Sequence, residues 1–129
     1  MKCKSMLIML LLLSVNVQAK PSKNYDSLAQ DCLSLSSRFE SLAKLQYDSH
    51  CKSTLTHSDF MVLATAAHLQ SHEKLPAYRA IVSVLNDFES GDLSLCQYYR
   101  QIISVYRKSA DIAYLIKALP DSQSVSLPG

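Results

Sequence analysis

The sequence predicts an all-α protein: an antiparallel four-helix bundle with one disulfide and a short fifth segment that either extends the last helix or folds back on it. Three observations carry this. Only two glycines, Gly91 and Gly129, and no tryptophan occur in 129 residues, which disfavours a sheet protein because hairpins and bulges draw on glycine for their turns. The apolar residues Tyr25, Leu28, Cys32, Leu35, Phe39 and Leu42 follow one another in steps of three and four, the repeat of one helix face. The polar stretches between such segments are short, and short connections set neighbouring helices antiparallel.

Ahead of the helices stands an export signal. Met1-Lys2-Cys3-Lys4 puts two positive charges before an apolar run from Met6 to Leu13, and Val17-Gln18-Ala19 supplies the small residues that a signal peptidase requires. Residues 1–19 therefore read as a signal peptide, cleaved after Ala19, and the expected location is the periplasm. The apolar run falls short of the roughly 20 residues that a permanent membrane span needs, and no later stretch reaches that length. Lys20 follows the cleavage point where a lipoprotein would have cysteine, so no lipid anchor is expected. Loss of Lys2 and Lys4 takes the thirteen basic residues to eleven, against eleven acidic. A near-neutral domain argues against a nucleic-acid or anionic-membrane footprint. Residues 20–119 form the helical domain and 120–129 a short polar tail, expected to be disordered.

The first helix runs from about Tyr25 to Tyr47, with Asp26 and Asp31 early and Lys44 late, as the helix dipole favours. The polar stretch Asp48 to Thr54 reads as a loop holding Cys51. Thr56 and Asp59 resemble a capping pair for a second helix, His57 to Ser71, with Phe60, Leu63, Ala64 and Ala67 inward. Pro76 starts a third helix that buries Tyr78, Ile81, Val82, Leu85 and Phe88 and stops at Gly91. Asp92 caps a fourth, with Leu95, Tyr99, Ile102 and Tyr106 at helical spacing; a break near Ser109 would leave a last segment, Ile112 to Leu119, ended by Pro120.

Past the signal peptide three cysteines remain, Cys32, Cys51 and Cys96, in a compartment where disulfides form. Up-and-down topology brings the first connection and the start of the fourth helix to the same end of the bundle, so Cys51 pairs with Cys96. Cys32 sits on the core stripe about fifteen residues before the first helix ends, some 20 Å away, and reads as a buried small hydrophobe.

Nothing in the sequence assembles a catalytic site. His68 and His72 have the i, i+4 spacing of a metal pair, but His57 is about 16 Å along the axis and no third ligand can be named, so no metal and no cofactor is expected. Asp59 and Glu73 lack a second carboxylate for acid and base work, and the serines lack nucleophile-elbow glycines. A stacking surface from Tyr98, Tyr99 and Tyr106 with Arg100, Arg107 and Lys108 runs against the neutral charge, so no nucleic-acid partner is expected. The chain reads as a protein-binding rather than an enzymatic one.

The apolar arcs of the third and fourth helices are wider than one core contact requires. Ile81, Val84 and Phe88 on one, and Tyr98, Ile102 and Val105 on the other, either lie under the segment Ile112 to Leu119 or line a groove for a partner's amphipathic helix. These six are the candidate groove residues.

The run Ser41-Leu42-Ala43-Lys44-Leu45 leading to Cys51, the Leu55-Thr56 helix start, the alanine-bearing second helix, Tyr78, Leu85, and Cys96 followed by Tyr99 and Ile103 resemble the PulS/OutS type of type II secretion pilotins over roughly Leu35 to Arg107. The resemblance implies a four-helix periplasmic protein with one disulfide between Cys51 and Cys96. It further implies a protein that clasps the C-terminal amphipathic helix of a secretin and guides it to the outer membrane, with peripheral membrane association. The missing lipoprotein cysteine and the extra Cys32 depart from the common pattern. The alternative is an exported immunity protein that neutralises a toxic effector; such an inhibitor would present a loop, whereas a pilotin would present an apolar groove.

Overall fold

A computed structural model describes residues 23–121. The expected signal peptide, and the tail beyond Asp121, lie outside the described residues. Four helices follow in order, α1 (Tyr25–Lys44), α2 (Ser49–Gln70), α3 (Lys74–Gly91) and α4 (Tyr99–Lys117), with no strand among the described residues. α1 packs on α2 and α4, and α3 packs on the same two, so the helices form a closed ring of neighbours around one core. No helix among the described residues is long and apolar enough to cross a membrane.

α1 starts at Tyr25 as its periodicity predicts and ends at Lys44, three residues short of the expected Tyr47. Asn24 caps it reciprocally: its Oδ1 accepts from the Ser27 backbone N at 2.8 Å, and Ser27 Oγ accepts from the Asn24 N at 3.1 Å. The stripe Tyr25, Leu28, Cys32, Leu35, Phe39 and Leu42 is buried, widened by the small residues Ala29, Ser36 and Ala43.

α2 corrects the sequence reading twice. It begins eight residues earlier than expected, because Asp48 rather than Thr56 is its cap, accepting from the Cys51 N at 3.0 Å. Cys51 therefore lies in the first helical turn, not in a loop. The buried face is Cys51, Leu55, Ser58, Val62, Thr65, Ala66 and Leu69, whereas Phe60, Leu63 and Ala67 are exposed and Ala64 half-buried. Two polar residues occupy interior positions and two large apolar ones face out, so the apolar residues are divided between two sides and do not single out the buried one.

α3 starts at Lys74, and Pro76 sits in its first turn, where a missing N–H removes no intrahelical bond. The helix ends at Gly91, but the left-handed residue is Asp92, at φ 48°. Gly91 serves close approach: a Cβ there would lie 3.2 Å from Thr54 Cγ2 of α2. Asp92 does not cap α4. An irregular stretch, 92–98, intervenes, and α4 starts after Tyr98, itself left-handed at φ 61°. Leu95, expected in the core, stands 95% exposed there. α4 runs unbroken through Ser109, whose buried Oγ donates to the Val105 carbonyl at 2.9 Å. The expected fifth segment is thus the end of α4, with Ile112, Ala113 and Ile116 in the core.

Each end of the bundle is tied. At one, Cys51 and Cys96 form a disulfide with Cα atoms 5.8 Å apart, joining the start of α2 to the α3–α4 connection. Beside it the buried Gln46 side chain reads the backbone of Gln97 in both directions, Nε2 donating to its carbonyl at 2.9 Å and Oε1 accepting from its N–H at 2.9 Å. At the other end Tyr25 Oη donates to the Pro120 carbonyl at 2.7 Å and Lys74 Nζ to the Leu119 carbonyl at 2.6 Å, and Lys74 pairs with Asp121 at 3.5 Å. The start of the expected tail is therefore held against α1 and α3.

Two expectations follow. Replacing Cys51 and Cys96 by serine opens a 45-residue loop, and equilibrium denaturation should show a loss of roughly 2–4 kcal/mol. Cys32 is fully buried and unpaired, and burial, helped by Asp31, pushes its thiol up to about 12. At pH 8 the thiol thus stays protonated as well as covered, so iodoacetamide should label Cys32 only after denaturation; rapid labelling of the native protein would show that the core opens there.

Candidate functional site

A polar network lies in the interior at the junction of α2, α3 and α4. Ser58 Oγ donates to Asp87 Oδ2 at 2.9 Å and lies 2.6 Å from Tyr106 Oη, which must then be the donor of that second bond. His57 Nδ1 stands 2.7 Å from the same Asp87 oxygen at the surface end. Serine, histidine and aspartate meet here without nucleophilic geometry: the serine is fully buried, and its proton goes to the carboxylate rather than to the imidazole. Burial, and to a lesser degree Asp87, hold the Tyr106 hydroxyl well above the ordinary tyrosine range, against the lowering effect of its bond to Ser58. The ring of Tyr106 packs edge-on against Phe39 at 5.1 Å and, tilted by 38°, against Phe88 at 4.8 Å. The network satisfies interior polar groups and aligns three helices.

The histidines of the i, i+4 pair are turned to separate tasks. His68 Nδ1 meets Glu73 Oε1 at 2.8 Å, and His72 stacks on the Tyr25 ring at 4.5 Å. Among the described residues no cluster of three or more histidine, cysteine or acidic side chains is arranged to hold a metal ion.

Of the six candidate groove residues, Ile81, Val84, Ile102 and Val105 are fully buried, Phe88 is half-buried against the core, and only Tyr98 is exposed. The sequence left open whether these positions are covered within the chain or line a groove for a partner; α3 and α4 close there on one another and on their other neighbours. The breadth of their arcs has a simple cause: each helix of a four-membered ring touches two others and needs an apolar arc wide enough for both.

An open groove of about 330 Å³ lies instead between α1 and α2, lined by Glu40, Ala43 and Lys44 from the first helix and Lys52, Thr56, Asp59, Phe60 and Leu63 from the second. Phe60 is 67% exposed. Asp59 accepts a hydrogen bond from Ser36, which fixes the register of the two antiparallel helices. The floor is small and apolar at Ala43, one wall is aromatic and aliphatic, and the rim carries charge of both signs. The sequence signal for it was present, since Phe60 and Leu63 were noted, but their side of α2 was assigned to the core.

A second exposed set marks the disulfide end. Tyr47 at 91% and Leu95 at 95% exposure stand on the two connections that the disulfide and Gln46 hold together, with Leu45 and Tyr98 about half exposed nearby in sequence. No known protein family, no characterised protein and no solved structure matches this chain.

Tyr106→Phe removes one buried hydrogen bond while leaving Ser58 its bond to Asp87. The expected cost is about 1 kcal/mol, seen as a fall in melting temperature of roughly 4–8 °C with the helical circular dichroism spectrum intact.

Proposed function

We propose that the chain is an exported protein-binding module of the pilotin type, which takes the C-terminal amphipathic helix of a type II secretion secretin into the α1–α2 groove and helps bring it to the outer membrane. The observation that carries this reading is the position of Phe60 and Leu63: large apolar side chains left open over a small floor at Ala43, on a bundle whose α3 and α4 stripes are already buried. A partner helix laying apolar residues at i, i+3, i+4 and i+7 along that line would cover them. The disulfide supports a periplasmic working place. Membrane association is then peripheral, and comes through the cargo.

The second reading, an exported immunity protein, draws on Tyr47 and Leu95, since a pinned connection presenting large apolar side chains is what an inhibitory loop requires. Calorimetry with a secretin C-terminal peptide separates the two. Wild type should bind, Phe60→Asp should weaken binding at least tenfold, since burying that ring contributes about 2 kcal/mol, and Leu95→Asp should leave it unchanged. No heat of binding with the wild type removes the pilotin reading, and loss of effector neutralisation in Leu95→Asp would establish the other.

A further inference from the structure

We infer that the α1–α2 groove fixes the direction of its occupant: it takes an amphipathic helix of about three turns with that helix's C-terminal end, and the carboxylates there, between Lys44 and Lys52. This rests on the helix-binding reading above and adds a direction to it. The Ser36–Asp59 hydrogen bond sets the antiparallel register of the two walls. In that register Lys44 stands level with Lys52 at the disulfide end of the groove, Glu40 level with Thr56, and Asp59 a turn further along, with Phe60 and Leu63 beyond. The Lys52 ammonium has no ion-pair or hydrogen-bond partner among the described residues, and Lys44 meets only Glu40, in an exposed pair at 3.7 Å. From Lys52 to Leu63 is eleven residues of α2, about 16 Å, which three turns of a docked helix would span.

Apolar contact with Phe60, Leu63 and Ala43 is indifferent to the direction of an incoming helix, so the order of charges decides it. A helix carries about half a negative charge at its C-terminus and half a positive charge at its N-terminus. Laid with its C-terminal end at the two lysines, it sets that negative end, and the carboxylates of its last turn, against two cations. A basic residue seven positions earlier then comes over Asp59, because Lys52 and Asp59 are themselves seven residues apart, about 10 Å along the axis. The reverse direction brings the unpaired N–H groups of the first turn against Lys44 and Lys52. The occupant therefore runs parallel to α1 and antiparallel to α2. Exposed charges interact weakly, so the dipole and one surface ion pair together set a preference of roughly threefold to tenfold.

The test uses the exported, disulfide-bonded protein and a secretin C-terminal peptide bearing a nitroxide on a cysteine placed at its first or at its last residue, read as paramagnetic broadening of backbone amide signals. The label at the last residue should broaden Lys44 and Lys52 most strongly, and the label at the first residue Leu63. In calorimetry with the unlabelled peptide, Lys52→Glu should lower affinity by roughly threefold to tenfold, and amidating the peptide's C-terminus should weaken binding to wild type but hardly to Lys52→Glu. The melting temperature of Lys52→Glu should hold, since an acidic residue near the start of α2 suits that helix's own dipole. Broadening in the opposite order, or equal from both labels, overturns the inference, as does an affinity indifferent to Lys52→Glu; binding that still requires Phe60 would leave the groove reading standing in each case. A peptide that fails to bind wild type overturns both.

Discussion

The coupling between the two connections at the disulfide end determines most of what is irregular in this bundle. Cys51 lies in the first turn of α2 and Cys96 in the α3–α4 connection, and the bond between them holds that connection across the end of α1. Gln46 works in parallel, its amide serving Gln97 as a neighbouring strand would, with a donor and an acceptor engaged on one residue. A tight turn between α3 and α4 could not reach this position. The chain instead spends 92–98 crossing to it, leaving α3 through a left-handed Asp92 and entering α4 through a left-handed Tyr98. Two non-glycine residues at positive φ are unfavourable in isolation and persist where surrounding bonds over-determine them. The covalent bond and the buried amide are those surrounding bonds.

The other constraint is the polarity of α2. Its interior side carries Ser58 and Thr65, whose hydroxyls need partners once water is removed. Thr65 finds its own helix at the Met61 carbonyl, 2.7 Å away, but Ser58 depends on Asp87 of α3 and Tyr106 of α4. α2 is thereby tied to a rotation that satisfies Ser58, and that rotation turns Phe60 and Leu63 outward. The buried side also carries Cys51, Leu55, Val62, Ala66 and Leu69, so apolar burial and polar satisfaction act in the same sense. The open groove thus follows from a rotation that both the inner apolar residues and Ser58 require.

This explains which parts were legible beforehand. α1 was read correctly because its stripe and its polarity agree, and the Cys51–Cys96 pairing followed from topology, which depends on connection length and hardly on helix boundaries. The start of α2 was missed because Asp48 lies in a polar run that looks like a loop until Cys51 is seen to be helical. Its face was missed because the deciding partners, Asp87 and Tyr106, lie 29 and 48 residues away from Ser58 in sequence. The wide arcs of α3 and α4 were visible, but breadth alone does not say whether the second neighbour is a helix of the same chain or of another.

The location of the groove also changes what a substitution there can report. Ile102 and Val84 are fully buried, so a charge placed at either would unfold the domain and leave binding unread. Phe60 contributes little to the core from the outer side of α2, and the helix beneath it is held by Asp48, the disulfide and Ser58 independently of that ring. Rigid walls also mean that an occupant finds the groove already shaped, so the entropy of ordering falls on the incoming surface alone. A peptide partner that is disordered when free would have to become a helix as it binds, and that cost would be set against its apolar contact. Such a peptide would offset that cost only by covering Leu63 and the rest of the α1–α2 line as well as Phe60.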